Sequence, residues 1–204
     1  MMKKLGFGCM RLPMIQGKKE MEVDYDQFKQ MIDAFFKEGF CYFDTAHGYI
    51  GGKSEIAIRE CLVKRYPRES YILTDKLTSN FFQKEEEIIP FFEKQLENTG
   101  VEYFDYYLMH ALNSDYYKKF VECRAFEIAK QLKEEGKIKH IGISFHDKAA
   151  VLDKILSEQP DIEVVQIQFN YADYDDPGIE SFLCYQSTDS LSRILVPAMT
   201  WIIL

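Results

Sequence analysis

The stretch "YFDTAHGYIGGKSE", residues 42–55, decides the fold, because two incompatible readings compete for it. Gly52, Lys53 and Ser54 follow an apolar run that reads as a strand, which is where a P-loop would begin its helix. A P-loop also needs a glycine five positions ahead of the Gly-Lys pair, so that successive backbone N–H groups can wrap the phosphates. That position holds His47, and Gly48 comes one residue too late. Triphosphate chemistry is set aside, and Asp44 and Tyr49 become the residues to explain.

Outward from this stretch the chain repeats a short β-branched or aromatic run and then a longer amphipathic one. The short runs are "LGFGCMRL" (5–12), "FCYFDTA" (40–46), "YILTDKL" (71–77), "YFDYYLMH" (103–110), "KHIGISFH" (139–146) and "VVQIQFNY" (164–171), each of a length that suits a buried strand. Between them, Phe28, Ile32, Phe35 and Phe36 fall on one face of a helix over 24–38, and Ile88, Ile89, Phe92 and Leu96 on one face of a helix over 84–98. Further helices are expected over 116–135 and over 147–158, the latter with Asp147 as N-cap. Gly39, Gly100 and Gly136 stand just past helix ends, where a left-handed residue is commonly required.

Repetition of β then α needs parallel strands with right-handed crossovers, so the chain is either a doubly wound sheet or a closed barrel. No Gly-x-Gly-x-x-Gly follows the first strand, which disfavours a dinucleotide fold of the doubly wound kind. In a barrel the reactive side chains collect at the C-terminal ends of the strands. Asp44 closes the second run with Tyr49 in the loop beyond it, Lys76 closes the third and His110 the fourth.

Composition bounds the rest. With 204 residues, 47% hydrophobic and 28% charged, the chain has an ordinary globular make-up and length enough for one core. A net charge of -8 argues against nucleic acid or an anionic membrane as partner. Five scattered cysteines without a Cys-x-x-Cys pair point to reduced thiols and not to a metal cluster. The start "MMKKLGFGCMRLP" lacks the apolar run of a signal peptide or membrane span, so a cytoplasmic protein is expected.

A lysine at the end of a buried strand needs an anion, and Asp44 is the candidate. An adjacent ammonium favours a phenolate, so Tyr49 beside Lys76 is expected to be more acidic than an ordinary tyrosine. Such a phenol can protonate a developing alkoxide, with His110 hydrogen-bonding the same oxygen. That chemistry lacks only a hydride source, which proteins take from a nicotinamide or flavin. Two other readings stay open: a lyase in which Lys76 forms a Schiff base, and a non-catalytic fragment that binds a partner.

With "TDK" (74–76) and "YLMH" (107–110), the segment "FDTAHGY" (43–49) resembles the aldo-keto reductase family. The likeness continues through "GKIKHIGIS" (136–144) and covers about residues 3–180. It implies an incomplete (β/α)8 TIM barrel, six of its eight units legible, that reduces small aldehydes and ketones with NADPH. The family tetrad would be Asp44, Tyr49, Lys76 and His110. The resemblance also implies cofactor contacts from Gly8 and Cys9 at the first strand's turn, and from Ser144 and Gln166 at the nicotinamide amide. Phe145 stands where the family commonly has Asn, as in bacterial-type members carrying "SFHD", and His146 beside it is the expected substitute. Asn170, His47 and His140 are weaker candidates.

Residues 181–204 break the pattern. Asp189 and Arg193 are the only charged residues there, and Pro197 interrupts the apolar run. The family's phosphate-holding loops are not legible in this tail. The sequence therefore suggests a barrel over 1–180 and an atypical tail over 181–204, as in a truncated or frame-shifted member. "RILVPAM" or "TWIIL" is expected to add a makeshift strand beside the sixth. Open strand edges would favour self-association.

Overall fold

The computed structural model describes residues 5–17, 20–167 and the backbone of 194 and 195. Asn170, the end of the sixth run beyond Ile167 and "TWIIL" lie outside the described residues.

Seven strands lie side by side in chain order, every pair parallel. They are β1 (Gly6–Gly8), β2 (Tyr42–Asp44), β3 (Ile72–Leu77), β4 (Phe104–Leu112), β5 (Ile138–Phe145), β6 (Val164–Ile167) and β7 (Ile194–Leu195). All six expected strands are present. β7 falls within "RILVPAM" and pairs Val165 with Ile194 and Gln166 with Leu195, so the outer edge of β6 is covered at those two positions. The helices are α1 (Tyr25–Lys37), α2 (Lys53–Ile58), α3 (Ile88–Thr99), α4 (Ser114–Glu122), α5 (Ala125–Glu134) and α6 (Ala149–Glu158). Among the described residues no helix is long and apolar enough to cross a membrane.

The strand register sorts side chains into two sets. Asp44 pairs with Thr74, Thr74 with Tyr106, and Tyr106 with His140; Lys76 pairs with Leu108, Leu108 with Gly142, and Gly142 with Val164. Alternation along each strand puts these residues, with Gly8, Ser144 and Gln166, on one face, and Phe43, Leu73, Asp75, Tyr107 and Ile143 on the other. Gln166 Nε2 donates to Asp44 Oδ2 at 2.9 Å, although β6 and β2 are four strands apart. In a flat sheet that separation is about 19 Å. The sheet is therefore curled with the Asp44 face inward, which is the geometry of a barrel wall.

The outer face carries the main hydrophobic layer. α1 starts where the Asp24 carboxylate accepts the Gln27 N–H at 2.9 Å, and it buries Phe28, Ile32 and Phe35. Phe35 and Phe28 meet Phe7 of β1, and Phe35 meets Phe43 of β2, at centroid distances of 5.4–5.7 Å. Phe92 of α3 packs edge-on against Phe104 and Tyr107 of β4. Gly39, Gly100 and Gly136 all have positive φ, as their places after helices require.

Two local expectations are corrected, and one helix is added. The helix expected over 116–135 is two helices, broken at Arg124, which takes a left-handed φ of 52°. Asn113 caps the first of them through the N–H groups of Asp115 and Tyr116. Asp147 does not cap α6, whose N-cap is Lys148; its carboxylate instead accepts the Ser114 N–H at 2.8 Å and so ties α4 to the end of β5. The crossover helix α2, continued as a π-turn over Arg59–Val63, escaped the periodicity because two of its buried residues are Ser54 and Glu55.

Candidate active site

At the C-terminal ends of β2 and β3, Lys76 is 1% exposed and Asp44 6%. Lys76 Nζ donates to Asp44 Oδ1 at 2.5 Å, to the Thr45 carbonyl at 2.8 Å and to the Tyr49 hydroxyl at 3.2 Å. Three acceptors satisfy the three ammonium protons, the condition under which a buried lysine keeps its charge. Burial opposes that charge, but Asp44 and then Tyr49 outweigh it and raise the Lys76 pKa above the ordinary lysine value. A lysine held as ammonium has no lone pair with which to attack a carbonyl, which counts against the Schiff-base reading.

Tyr49 is brought to this lysine by a turn with an unusual backbone. Ile50, Gly51 and Gly52 take φ values of 53°, 61° and 88° in succession, and α2 begins immediately after. The Gly-Gly of the opening stretch thus serves a left-handed turn that only its first residue enters at a cost, since a side chain there is strained by about 1–2 kcal/mol. The expected acidification of Tyr49 is overturned. Burial raises its pKa, the Lys76 ammonium lowers it by less, and the Asp44 carboxylate adds to the rise. The sequence showed the cation but could not show how deeply the hydroxyl is enclosed.

His110 closes the group. Its ring stands edge-on to Tyr49 with centroids 5.8 Å apart, and its Nδ1 lies 2.7 Å from Thr78 Oγ1. Burial, then the Lys76 charge and His146, lower its pKa to about 3, so the ring is neutral throughout the physiological range. The residue after it, Ala111, has φ 56°, and the β4–β5 register slips between Met109 and Leu112. This bulge re-aims the histidine at the strand end. Both Tyr49 and His110 are therefore followed by a left-handed non-glycine residue, a form of strain that gathers at functional sites. Neither Ile50 nor Ala111 carries a sequence signal for it.

The other candidates divide. Ser144 and Gln166 face each other across β5 and β6 on the inward side and are buried, with Gln166 tied to Asp44. Gly8 is level with Asp44, and a Cβ there would meet nothing within 4 Å. Cys9 is fully buried in the core; its N–H donates to the Asp44 carbonyl and its own carbonyl accepts the Ser54 hydroxyl. His146 shares the electrostatic field of the site, its pKa lowered by burial and by Lys76. His140 lies near the start of β5, stacked on Tyr106 and 2.9 Å from Glu163, away from the tetrad. His47 turns outward to Glu55 at 2.8 Å. Thr78 and the Thr45 carbonyl, which orient His110 and Lys76, were not singled out in the sequence because threonine at a strand end carries no distinctive signal.

Against known proteins, the model of the "Aldo/keto reductase family" matches residues 4–183. The chain is 32% identical over 149 residues to "Probable aldo-keto reductase 1" of Glycine max, covering 69% of this chain and 41% of that protein. It is 33% identical over 112 residues to the "NAD(P)H-dependent D-xylose reductase" of Pachysolen tannophilus, covering 52% of this chain and 30% of that one. The chain thus spans less than half the length of these two relatives. The holo form of an aldo-keto reductase from Bacillus halodurans superposes with a TM-score of 0.64 at 27% identity, over 81% of this chain and 53% of that structure.

Proposed function

The chain belongs to the aldo/keto reductase family, and from that premise we propose that its barrel mouth reduces the carbonyl group of a small aldehyde or ketone with a reduced nicotinamide cofactor. The observation that carries this reading is the single lysine nitrogen in contact with both Asp44 and the Tyr49 hydroxyl.

Tyr49 is the proton donor. Its raised pKa keeps the hydroxyl protonated at neutral pH, and the contact with Lys76 stabilises the phenolate as the proton leaves. With Thr78 Oγ1 assigned as the donor to Nδ1, 2.7 Å away, neutral His110 presents Nε2–H to the carbonyl oxygen and supports the charge that develops there. Asp44 holds Lys76 charged and in place, and Gln166 holds Asp44 by its second oxygen. Tyr49, Lys76, Asp44 and Gln166 are thereby one hydrogen-bonded unit.

The residues present fit the nicotinamide end of such a cofactor. Open space lies over Gly8, and the inward pair Ser144 and Gln166 stands beside Asp44. Because Gln166 Nε2 is committed to Asp44, its Oε1 is the atom available to accept from a carboxamide. Cys9, with its thiol closed into the core, is left out of this assignment in favour of Gly8. When bound, the cofactor would supply the hydride. NADPH is proposed over NADH on the family resemblance.

Fluorescence titration with NADPH, followed by assays over a panel of aldehydes, tests the reading. Tyr49→Phe is expected to lower turnover by at least about a hundredfold; turnover equal to the parent's removes Tyr49 from the role of proton donor.

A further inference from the structure

Behind the tetrad, on the outward face of β3, a second buried polar cluster is not used by the chemistry above. Asp75 and Glu55 are both 0% exposed. Gln95 Nε2 bridges them, donating to Asp75 Oδ1 at 3.0 Å, Glu55 Oε1 at 3.3 Å and the Lys76 carbonyl at 3.1 Å. The orientation of this amide is fixed by Tyr107, whose hydroxyl donates to Gln95 Oε1 at 2.5 Å. Glu55 Oε2 accepts from Asn98 at 2.7 Å and lies 2.8 Å from His47 Nδ1. Asp75 Oδ1 also accepts the Lys76 N–H at 2.8 Å.

The donors are unevenly shared. Glu55 receives them on both oxygens, whereas Asp75 receives them only on Oδ1, and its Oδ2 is buried without a donor. An ionised oxygen in that position would be an unpaired buried charge beside a second carboxylate, an expensive arrangement on both counts. A proton on Oδ2 removes that unpaired charge, and Glu55, whose Oε1 shares the Gln95 Nε2 donor with Asp75 Oδ1, is the neighbouring carboxylate with which Asp75 would share it.

We propose that Asp75 and Glu55, bridged by Gln95, hold one proton between them, carried on the otherwise unpaired Asp75 Oδ2, and that this unit positions Tyr49 against Lys76. The surrounding charges agree with a single negative charge. α3 contributes only the neutral Gln95, Asn98 and Thr99, β4 contributes Tyr107, the β2–α2 loop contributes His47, and the Lys76 ammonium is committed to Asp44 on the opposite face of the sheet. Burial, and then the Glu55 charge, push Asp75 well above the ordinary carboxylate range. The unit grips both partners of the key contact: Lys76 by its main-chain N–H on Asp75 and, through the bridging Gln95, by its C=O, and Tyr49 through His47, two residues before it, on Glu55. Asp75 and Glu55 are positioning residues, whichever reaction the barrel mouth performs.

The test needs no turnover. Infrared spectra of the wild type at pH 7 should contain the carbonyl stretch of an un-ionised carboxylic acid, and Asp75→Asn should lack it. The side-chain amide that this substitution introduces takes over from the O–H donor, so the fold is retained. Because the folded state holds a proton that the unfolded state has released, the folding constant of the wild type should fall about tenfold per pH unit relative to Asp75→Asn between pH 5 and 7. Glu55→Gln, which removes the charge gripping His47, should speed exchange of the Tyr49 amide about tenfold or more, while Asp75→Asn leaves it near the wild-type rate. A wild-type spectrum without the acid band overturns the shared proton, as do parallel pH curves. An unchanged Tyr49 amide in Glu55→Gln overturns the positioning role.

Discussion

Lys76 shows how a single residue can be legible in sequence while its energetics are not. Its place at the end of "YILTDK", after a strand-end aspartate and ahead of a strand-end histidine, was enough to group Asp44, Tyr49, Lys76 and His110, because parallel β/α units bring successive strand ends together. How deeply each is buried was not readable, and burial reversed the expected direction for Tyr49. Replacing Lys76 by Met leaves Asp44 buried with Gln166 as its remaining side-chain donor, which should cost about 3–5 kcal/mol of stability. Urea unfolding of Lys76→Met, and of Lys76→Met combined with Asp44→Asn, checks this: the second change should restore part of the loss, and an equal or larger deficit in the pair would contradict the ion-pair account. His110 gives a pH signature of known sign. Its folded pKa lies at about 3, below the ordinary 6.5, so its contribution to stability is fully present above pH 6.5 and is lost as pH falls toward 3. His110→Gln should therefore lose less stability than the wild type between those limits, and identical acid transitions in the two proteins would refute the buried neutral ring.

Elements were read most securely where one face is apolar and least where a polar residue sits at the buried position. α1 and α3 followed from phenylalanine and isoleucine spacing, but α2 hides its register behind Ser54 and Glu55, and the α4–α5 break rests on one left-handed backbone at Arg124. Two glycines that look alike in sequence do different work here. A Cβ on Gly142 would lie 2.6 Å from both the Val164 carbonyl oxygen and Leu108 Cδ2, so β5 approaches β6 and β4 more closely than any other residue permits. Gly52 is constrained by its φ of 88°, with only the His47 carbonyl within 4 Å of a Cβ, at 3.8 Å. Gly52→Ala should cost about 1–2 kcal/mol through backbone strain alone. Gly142→Ala must push a main chain aside and should cost about 3 kcal/mol, the upper part of the overpacking range, and it should loosen Gln166 from Asp44 as well. Denaturation midpoints that place Gly142→Ala at or above the wild type would show that β6 yields freely.

For the molecule as a whole, strand lengths set an order of stability that the apolar runs of the sequence do not report. The expected runs were of similar length, yet β3, β4 and β5 form 6, 9 and 8 residues of strand while β1 and β2 form 3 each. Turn chemistry at strand ends decides how much of an apolar run pairs, and hydrophobicity alone does not report it. The long strands occupy the middle of the sheet, each hydrogen-bonded on both sides, and carry Lys76, His110 and Ser144. Asp44 comes from the short β2 on one flank and Gln166 from β6 on the other, and they meet only because the sheet curls. Local opening is cheapest where few ladder bonds must break, so amide exchange should be slowest in β3–β5 and faster in β1 and β2, with the Asp44–Gln166 hydrogen bond a tie between the flanks among the described residues. Gln166→Leu keeps the buried volume but removes that tie; it should accelerate exchange in β1, β2 and β6 while leaving the centre of β4 unchanged. Uniform acceleration across all strands would mean that the wall opens as one unit and that its curl does not depend on this bond.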